Sequence, residues 1–159
     1  MLQGRCQCGS VRYRLTDAPM ITHCCHCADC QRETGSAFAV NAVIESDRVE
    51  LLAGEPEMVM TPSESGKGQE IARCPECRVA LWSHYAGSRR ASSFIRVGTL
   101  DDPGALPPDV HIYTRSKRPW VGLPEGAPSF AGFYPDPAAV WSPAARERWA
   151  AMKAGSAAG

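Results

Sequence analysis

Eight cysteines stand in three groups along this 159-residue chain. Cys6 and Cys8 form C-x-C, and Cys74 and Cys77 form C-x-x-C within "CPEC". The stretch "HCCHCADC", residues 23–30, holds Cys24, Cys25, Cys27 and Cys30 together with His23 and His26. A cysteine pair at such spacing on a tight turn presents two thiolates to one ion, and zinc takes four such ligands in a tetrahedron at about 2.3 Å. Joining Cys6 and Cys8 to Cys74 and Cys77 completes a four-thiolate site that clips together two distant parts of the chain. Such a site has no room for substrate and is expected to be structural. A redox dithiol at "CPEC" and a set of unmetallated buried cysteines are the competing readings, and no βαβ pattern surrounds "CPEC".

With those four residues assigned, the middle group need not staple the fold. Cys25, Cys27 and Cys30 give C-x-C-x-x-C on one turn leading into a helix. Three protein ligands with a vacant fourth position make the pattern of a catalytic zinc. A thiol entering that position would be deprotonated by the metal, whereas a free thiol, with a pKa near 8.5, is mostly protonated at neutral pH. Two alternatives stay open: Cys24 in place of Cys25, or closure of the site by His23 or His84 as a second structural zinc. His26 lies between two ligands and is expected to point away, and Cys24 is left as a spare. His84 and His111 read as packed or surface histidines. No catalytic residue is assigned beyond the open zinc site.

The elements that must position these groups read mainly as strands. "SVRYRL" alternates Val11, Tyr13 and Leu15 with polar neighbours, the pattern of a half-buried strand. "SAFAVNAVIE", "VALWSHY" and "SSFIRVGTL" are further strands, and "RVELLAGEPEMVMTP" is two strands broken by Gly54 and Pro56. A short helix is expected near residues 28–34. The prolines of "DDPGALPPD" keep it out of a sheet ladder, and residues 107–137, rich in Pro, Gly and aromatics, read as an irregular wrap. A C-terminal helix is expected over about 142–154, with Ser142 as cap, Pro143 in the first turn and Gly155 at its end. Trp149 and Met152 share one of its faces, and "GSAAG" is expected to fray. The fold class is mainly β with short helices, in a single domain over residues 1–159.

Composition narrows the function classes. Seventeen basic residues balance seventeen acidic ones, so no overall charge draws the chain to nucleic acid or an anionic membrane. No apolar run reaches the roughly 18 residues of a membrane span. The opening "MLQGRCQCGS" lacks the basic and apolar regions of a secretory signal, and a cytoplasmic location is expected. In that reducing compartment clustered cysteines point to metal or catalysis.

The ordered set "CQCGSVRY", "CHCADCQRETGSAF", "RCPEC", "VGTLDDP" and "HIYTRSKRPW" resembles the glutathione-dependent formaldehyde-activating enzyme family, which also includes the centromere protein V domain. The resemblance covers about residues 3–135. It implies a zinc-stapled fold of the β-tent type, with a structural zinc on Cys6, Cys8, Cys74 and Cys77 and a second zinc on Cys25, Cys27 and Cys30. The implied activity joins glutathione and formaldehyde, or a related small aldehyde, into an S-hydroxymethyl adduct; in its reverse sense this is a carbon–sulfur lyase. A zinc-stabilised glutathione- or protein-binding module is the alternative. Glutathione's carboxylates need cationic partners, and Arg115 and Lys117, with Trp120 as an apolar wall, are the candidates for binding it. One position departs from the family pattern: Arg78 stands where Gly usually follows the second C-x-x-C. The turn there must be less strained than usual, or some stability is lost.

Overall fold

The computed structural model describes residues 1–157. Ten strands form two sheets. Strands β1 (Leu2–Arg5), β2 (Arg12–Leu15) and β5 (Val49–Ala53) make a small antiparallel sheet in the order β1-β2-β5. The larger sheet is built from β3 (Ile21–Cys25), β4 (Ala39–Glu45), β6 (Glu57–Thr61), β7 (Gln69–Arg73), β8 (Ala80–Tyr85), β9 (Ser92–Arg96) and β10 (Val110–Ile112). Its order is β10-β3-β4-β9-β8-β7-β6, antiparallel throughout except for the β10–β3 pair. Two helices, α1 (Ala28–Thr34) and α2 (Pro143–Ala157), complete it. This is the mainly β fold with a C-terminal helix that the sequence led us to expect.

The large sheet is covered on both faces. Successive strand residues point to opposite faces, and β4 shows the result. Ala42 and Ile44 join a core with Tyr13, Leu15 and Trp82, under the small sheet. Ala39 and Val43 join a second core with Ile112, Tyr134 and Trp141, under the wrap and α2. Strand β3 is buried at all five positions, Ile21, Thr22, His23, Cys24 and Cys25. A strand with both faces covered shows no polar alternation, which is why this one is not visible as a strand in the sequence.

The two strands expected on either side of "AGEP" both form, but they enter different sheets. Gly54 makes the break possible: its φ is +65°, and a Cβ there would sit 2.3 Å from the Ser10 carbonyl oxygen. The wrap after residue 107 carries one short strand, β10, against which residues 128–132 run. His111 N–H donates to the Pro128 carbonyl and Tyr113 N–H to that of Gly132. Helix α2 starts as expected, with Ser142 Oγ accepting from Ala145 N–H at 3.1 Å. It does not stop at Gly155 but runs on to Ala157. Of the expected frayed tail, residues 158 and 159 lie outside the described residues. Arg148 ties this helix to β4 through a two-pronged pair with Glu45 at 2.9 and 2.6 Å, which holds the Glu45 carboxyl below its ordinary range despite burial pushing it up.

The two turns that carry Cys6–Cys8 and Cys74–Cys77 are built alike. Cys6 N–H donates to the Val11 carbonyl and Cys74 N–H to the Val79 carbonyl, both at 3.0 Å. Each turn has one left-handed corner, Gly9 at φ +79° and Arg78 at φ +62°. The turn at Arg78 has therefore kept the left-handed shape despite its side chain, at a cost of about 1–2 kcal/mol for a residue with a Cβ. The exposed Arg78–Glu57 ion pair offsets little of this. Arg78→Gly is expected to raise the melting temperature by about 2–4 °C, the shift that ~1 kcal/mol produces in a chain of this size. A calorimetric scan showing no rise would mean that the corner is not strained.

Candidate functional site

The first cysteine group lies where the two sheets meet. The sulfurs of Cys6, Cys8, Cys74 and Cys77 all lie within 4.8 Å of one another, with Cys6–Cys8 at 3.5 Å and Cys8–Cys74 at 3.7 Å. Four sulfurs at about 2.3 Å from a tetrahedral zinc stand about 3.8 Å apart, so the donor set and its spacing fit that ion. Backbone N–H groups already point at the sulfurs: Val11 N–H reaches Cys6 at 3.3 Å and Cys77 N–H reaches Cys74 at 3.5 Å. The Ser10 hydroxyl stands 3.1 Å from both Cys8 and Cys74.

The second group is Cys25, Cys27 and Cys30, whose sulfurs also lie within 4.8 Å of one another. Cys25 ends β3, Cys27 caps α1, and Cys30 sits in the first helical turn. The Cys27 sulfur accepts the Cys30 N–H at 3.3 Å. Among the three, Cys27 is the thiol pushed down, because Cys25 and then Cys30 hydrogen-bond to its thiolate. Cys25 is pushed up, first by holding its proton for Cys27 and also by burial. One thiolate is thus favoured before any metal arrives, and three soft sulfur donors suit zinc.

No histidine joins these three sulfurs among the described residues. His84 Nδ1 is bonded to the Ser92 carbonyl at 2.8 Å. His23 Nε2 is bonded to the Tyr134 hydroxyl at 2.9 Å. Strand alternation sorts the rest of "HCCHCADC": Cys24 faces away from Cys25 and gathers with His26 and His111 in a third buried group. Cys24 and His111 are register partners on β3 and β10. His26 Nε2 and His111 Nδ1 are 3.1 Å apart and the ring centres 5.4 Å apart. The contact therefore lies on the line between the rings, the geometry of a hydrogen bond, whereas two imidazoles sharing an ion converge at an angle. Burial pushes the Cys24 thiol up to about 12, which disfavours its thiolate.

The three-sulfur group opens into a cavity of about 360 Å³, within the size range of small-molecule sites. Tyr85, Phe94, Tyr113, Phe133 and Trp149 form its aromatic part, and His23, Asn41, Lys67 and the carboxylates of Asp29 and Glu64 are among its polar groups. Beneath it lies the buried Arg96, whose guanidinium donates to Asn41 Oδ1 at 2.6 Å and to Ser83 Oγ at 3.0 Å. Arg96 has no ion-pair partner among the described residues, and its charge acts on Cys30 and Tyr85.

The residues expected to bind substrate do not gather in one place. Arg115 pairs with Glu64, which lines the cavity. Lys117 Nζ donates to the backbone carbonyls of Arg118 and Val121. Trp120, 76% exposed, lines a separate groove of about 620 Å³ with Arg32, Phe38 and Arg118, into which none of the three cysteines opens.

Residues 1–116 match the sequence model of the family described as "Glutathione-dependent formaldehyde-activating enzyme". The chain belongs to this family. A protein of Halomonas elongata, provisionally named as a glutathione-dependent formaldehyde-activating enzyme, is 26% identical over 150 residues, spanning 89% of this chain and 94% of that protein. A Talaromyces marneffei protein with the same provisional name is 25% identical over 125 residues, 76% of this chain and 66% of its own length. A crystal structure of a Rhodobacter sphaeroides protein aligns at 18% identity with a TM-score of 0.47, covering 62% of this chain and 87% of that one.

Three residues at or behind the cavity were not singled out by sequence reasoning: Lys67 lines it, Arg96 bonds its lining residue Asn41, and Tyr134 bonds its lining residue His23. Lys67 stands in a loop of small polar residues that reads as solvent-exposed. Arg96 sits in a strand where a charged residue reads as facing water. Tyr134 lies in the irregular wrap, 111 positions from the histidine it contacts.

Proposed function

We propose that this protein is a zinc-dependent enzyme of the carbon–sulfur lyase type, joining glutathione to formaldehyde or a related small aldehyde as an S-hydroxymethyl adduct. The observation that carries the reading is the contrast between the two cysteine groups. Four sulfurs close on themselves at the sheet junction, while three open into a cavity of about 360 Å³. Zinc bound on Cys25, Cys27 and Cys30 would turn an incoming thiol into a held thiolate. Three thiolates around a divalent ion sum to one negative charge, and the buried Arg96 supplies the compensating positive one. An unpaired buried guanidinium is otherwise costly by several kcal/mol.

The cavity's residues then have divided tasks. Aromatic walls exclude water from the thiolate and bring the aldehyde to it, so much of the gain is positioning. Lys67 at the cavity, and Arg115 beside Glu64, are the cations proposed to meet the carboxylates of glutathione. Trp120 lines the outer groove and Lys117 Nζ bonds the Arg118 and Val121 carbonyls, so neither lines the cavity. Among the described residues no helix is long and apolar enough to cross a membrane.

The test is to count zinc in the purified protein and to follow adduct formation by exchange spectroscopy against the uncatalysed reaction in the same buffer. Two zincs per chain and an acceleration that disappears when a chelator removes one of them is the expected result. A rate equal to the uncatalysed one in the two-zinc protein would leave only a binding module.

A further inference from the structure

His23 sits two residues before Cys25 on β3, so both side chains leave the same face of the strand, and both line the cavity. Its Nε2 is 2.9 Å from the Tyr134 hydroxyl oxygen. That oxygen also receives the Trp141 indole N–H at 2.6 Å. An indole nitrogen only donates, so the Tyr134 oxygen is the acceptor in that bond. The Tyr134 proton has one partner among the described residues, His23 Nε2. Tyr134 is buried, and leaving its O–H unpaired there would cost about 1–3 kcal/mol. His23 Nε2 must therefore accept, which places the ring proton on Nδ1. That nitrogen has no hydrogen-bond partner among the described residues, and it is absent from the buried unpaired atoms, unlike Nδ1 of His26.

The geometry points to His23 as a catalytic hydrogen-bond donor: its Nδ1–H, fixed by the Trp141–Tyr134 relay, binds the aldehyde oxygen beside Cys25. This inference rests on the function proposed above. In the reaction the substrate sulfur attacks the carbonyl carbon and one C–S bond forms. The C=O π pair moves onto oxygen, which takes up the proton that the thiol released. His23 keeps its own proton throughout. The bond it donates strengthens as charge gathers on oxygen, the condition for lowering a barrier rather than merely binding substrate. Tyr134 and Trp141 are positioning residues, since neither touches the reacting atoms: the Tyr134 O–H selects the one tautomer that leaves a donor toward the cavity, and the Trp141 indole anchors the Tyr134 oxygen.

The test uses zinc-loaded protein labelled with 15N at histidine, in which the two tautomers give distinct ring-nitrogen signals. The wild type is expected to show His23 as Nδ1–H. Its signal should move when glutathione and formaldehyde are added together and stay in place with glutathione alone. Tyr134→Phe is expected to release the tautomer and lower kcat about tenfold, part of the loss known for removal of an oxyanion donor, with KM for glutathione within about twofold of the wild type. Trp141→Phe leaves the Tyr134 proton on its bond to His23 and is expected to keep the Nδ1–H form. A wild-type spectrum showing Nε2–H overturns the assignment, whatever becomes of the variants. So does a signal unmoved by the adduct mixture, or undiminished kcat in a Tyr134→Phe protein whose tautomer has switched. If the wild type accelerates nothing, the enzyme reading fails and takes the catalytic role of His23 with it; movement of the signal with the adduct would then show only that His23 bonds the bound adduct.

Discussion

Cys74→Ser is expected to lower the melting temperature by at least about 10 °C or to prevent folding altogether. Cys74 is fully buried and stands at the start of the turn between β7 and β8, while Cys6 and Cys8 stand in the turn between β1 and β2. A zinc held by the four sulfurs would tie the small sheet directly to the large one, across a core that includes Tyr13, Trp82 and Ile95. Structural zinc in small domains supplies an apparent ~10–16 kcal/mol, against a total stability of about 5–15 kcal/mol for a typical domain. Even if the variant keeps most of that, a loss of about 5 kcal/mol lowers the midpoint by about 10–20 °C in a chain of this length. Thermal melts by circular dichroism, with and without chelator, check the result. A variant that melts with the wild type would show that the four thiols do not hold the sheets together.

Cys27→Ser is expected to do the opposite: to remove turnover and spare the fold. Cys27 is the N-cap of α1, and its sulfur accepts the Cys30 N–H at 3.3 Å. Serine is among the preferred caps and can accept the same bond, so the helix start survives. The hydroxyl is not a soft thiolate and does not replace one at zinc. The variant should bind one zinc where the wild type binds two, melt within a few degrees of the untreated wild type, and form adduct at least about 100-fold more slowly. That fold-change corresponds to ~2.7 kcal/mol of barrier. Unfolding on this substitution would make the second group structural as well, and retained turnover would move the chemistry away from it. Cys74→Ser and Cys27→Ser therefore separate the two groups by opposite outcomes.

Much of the framework was legible in the sequence. Val11, Tyr13 and Leu15 alternate because one face of β2 is buried and the other wet, and that signal is local. The cap at Ser142, the break at Gly54 and the cysteine pairs on tight turns are local too. The strands that escaped notice, β1, β3, β7 and β10, are short or covered on both faces, so they carry no alternation. Helix α2 passed its expected stop because a glycine in a helix costs only about 1 kcal/mol.

What the sequence by itself determined was the inventory of ligands and their grouping. C-x-C and C-x-x-C spacing brings sulfurs together through covalent geometry alone, and no distant contact is needed. The tertiary structure decided the division of "HCCHCADC". Strand pairing of β3 between β4 and β10 sends Cys25 toward Cys27 and Cys30 and turns Cys24 toward His26 and His111. It also decided what surrounds the open group: Arg96 from β9, Lys67 from a surface loop, and Tyr134 from the wrap. Those residues meet only after long loops have closed over a sheet buried on both sides. A side chain's neighbours across such distances are set by packing, and no spacing within the chain encodes them.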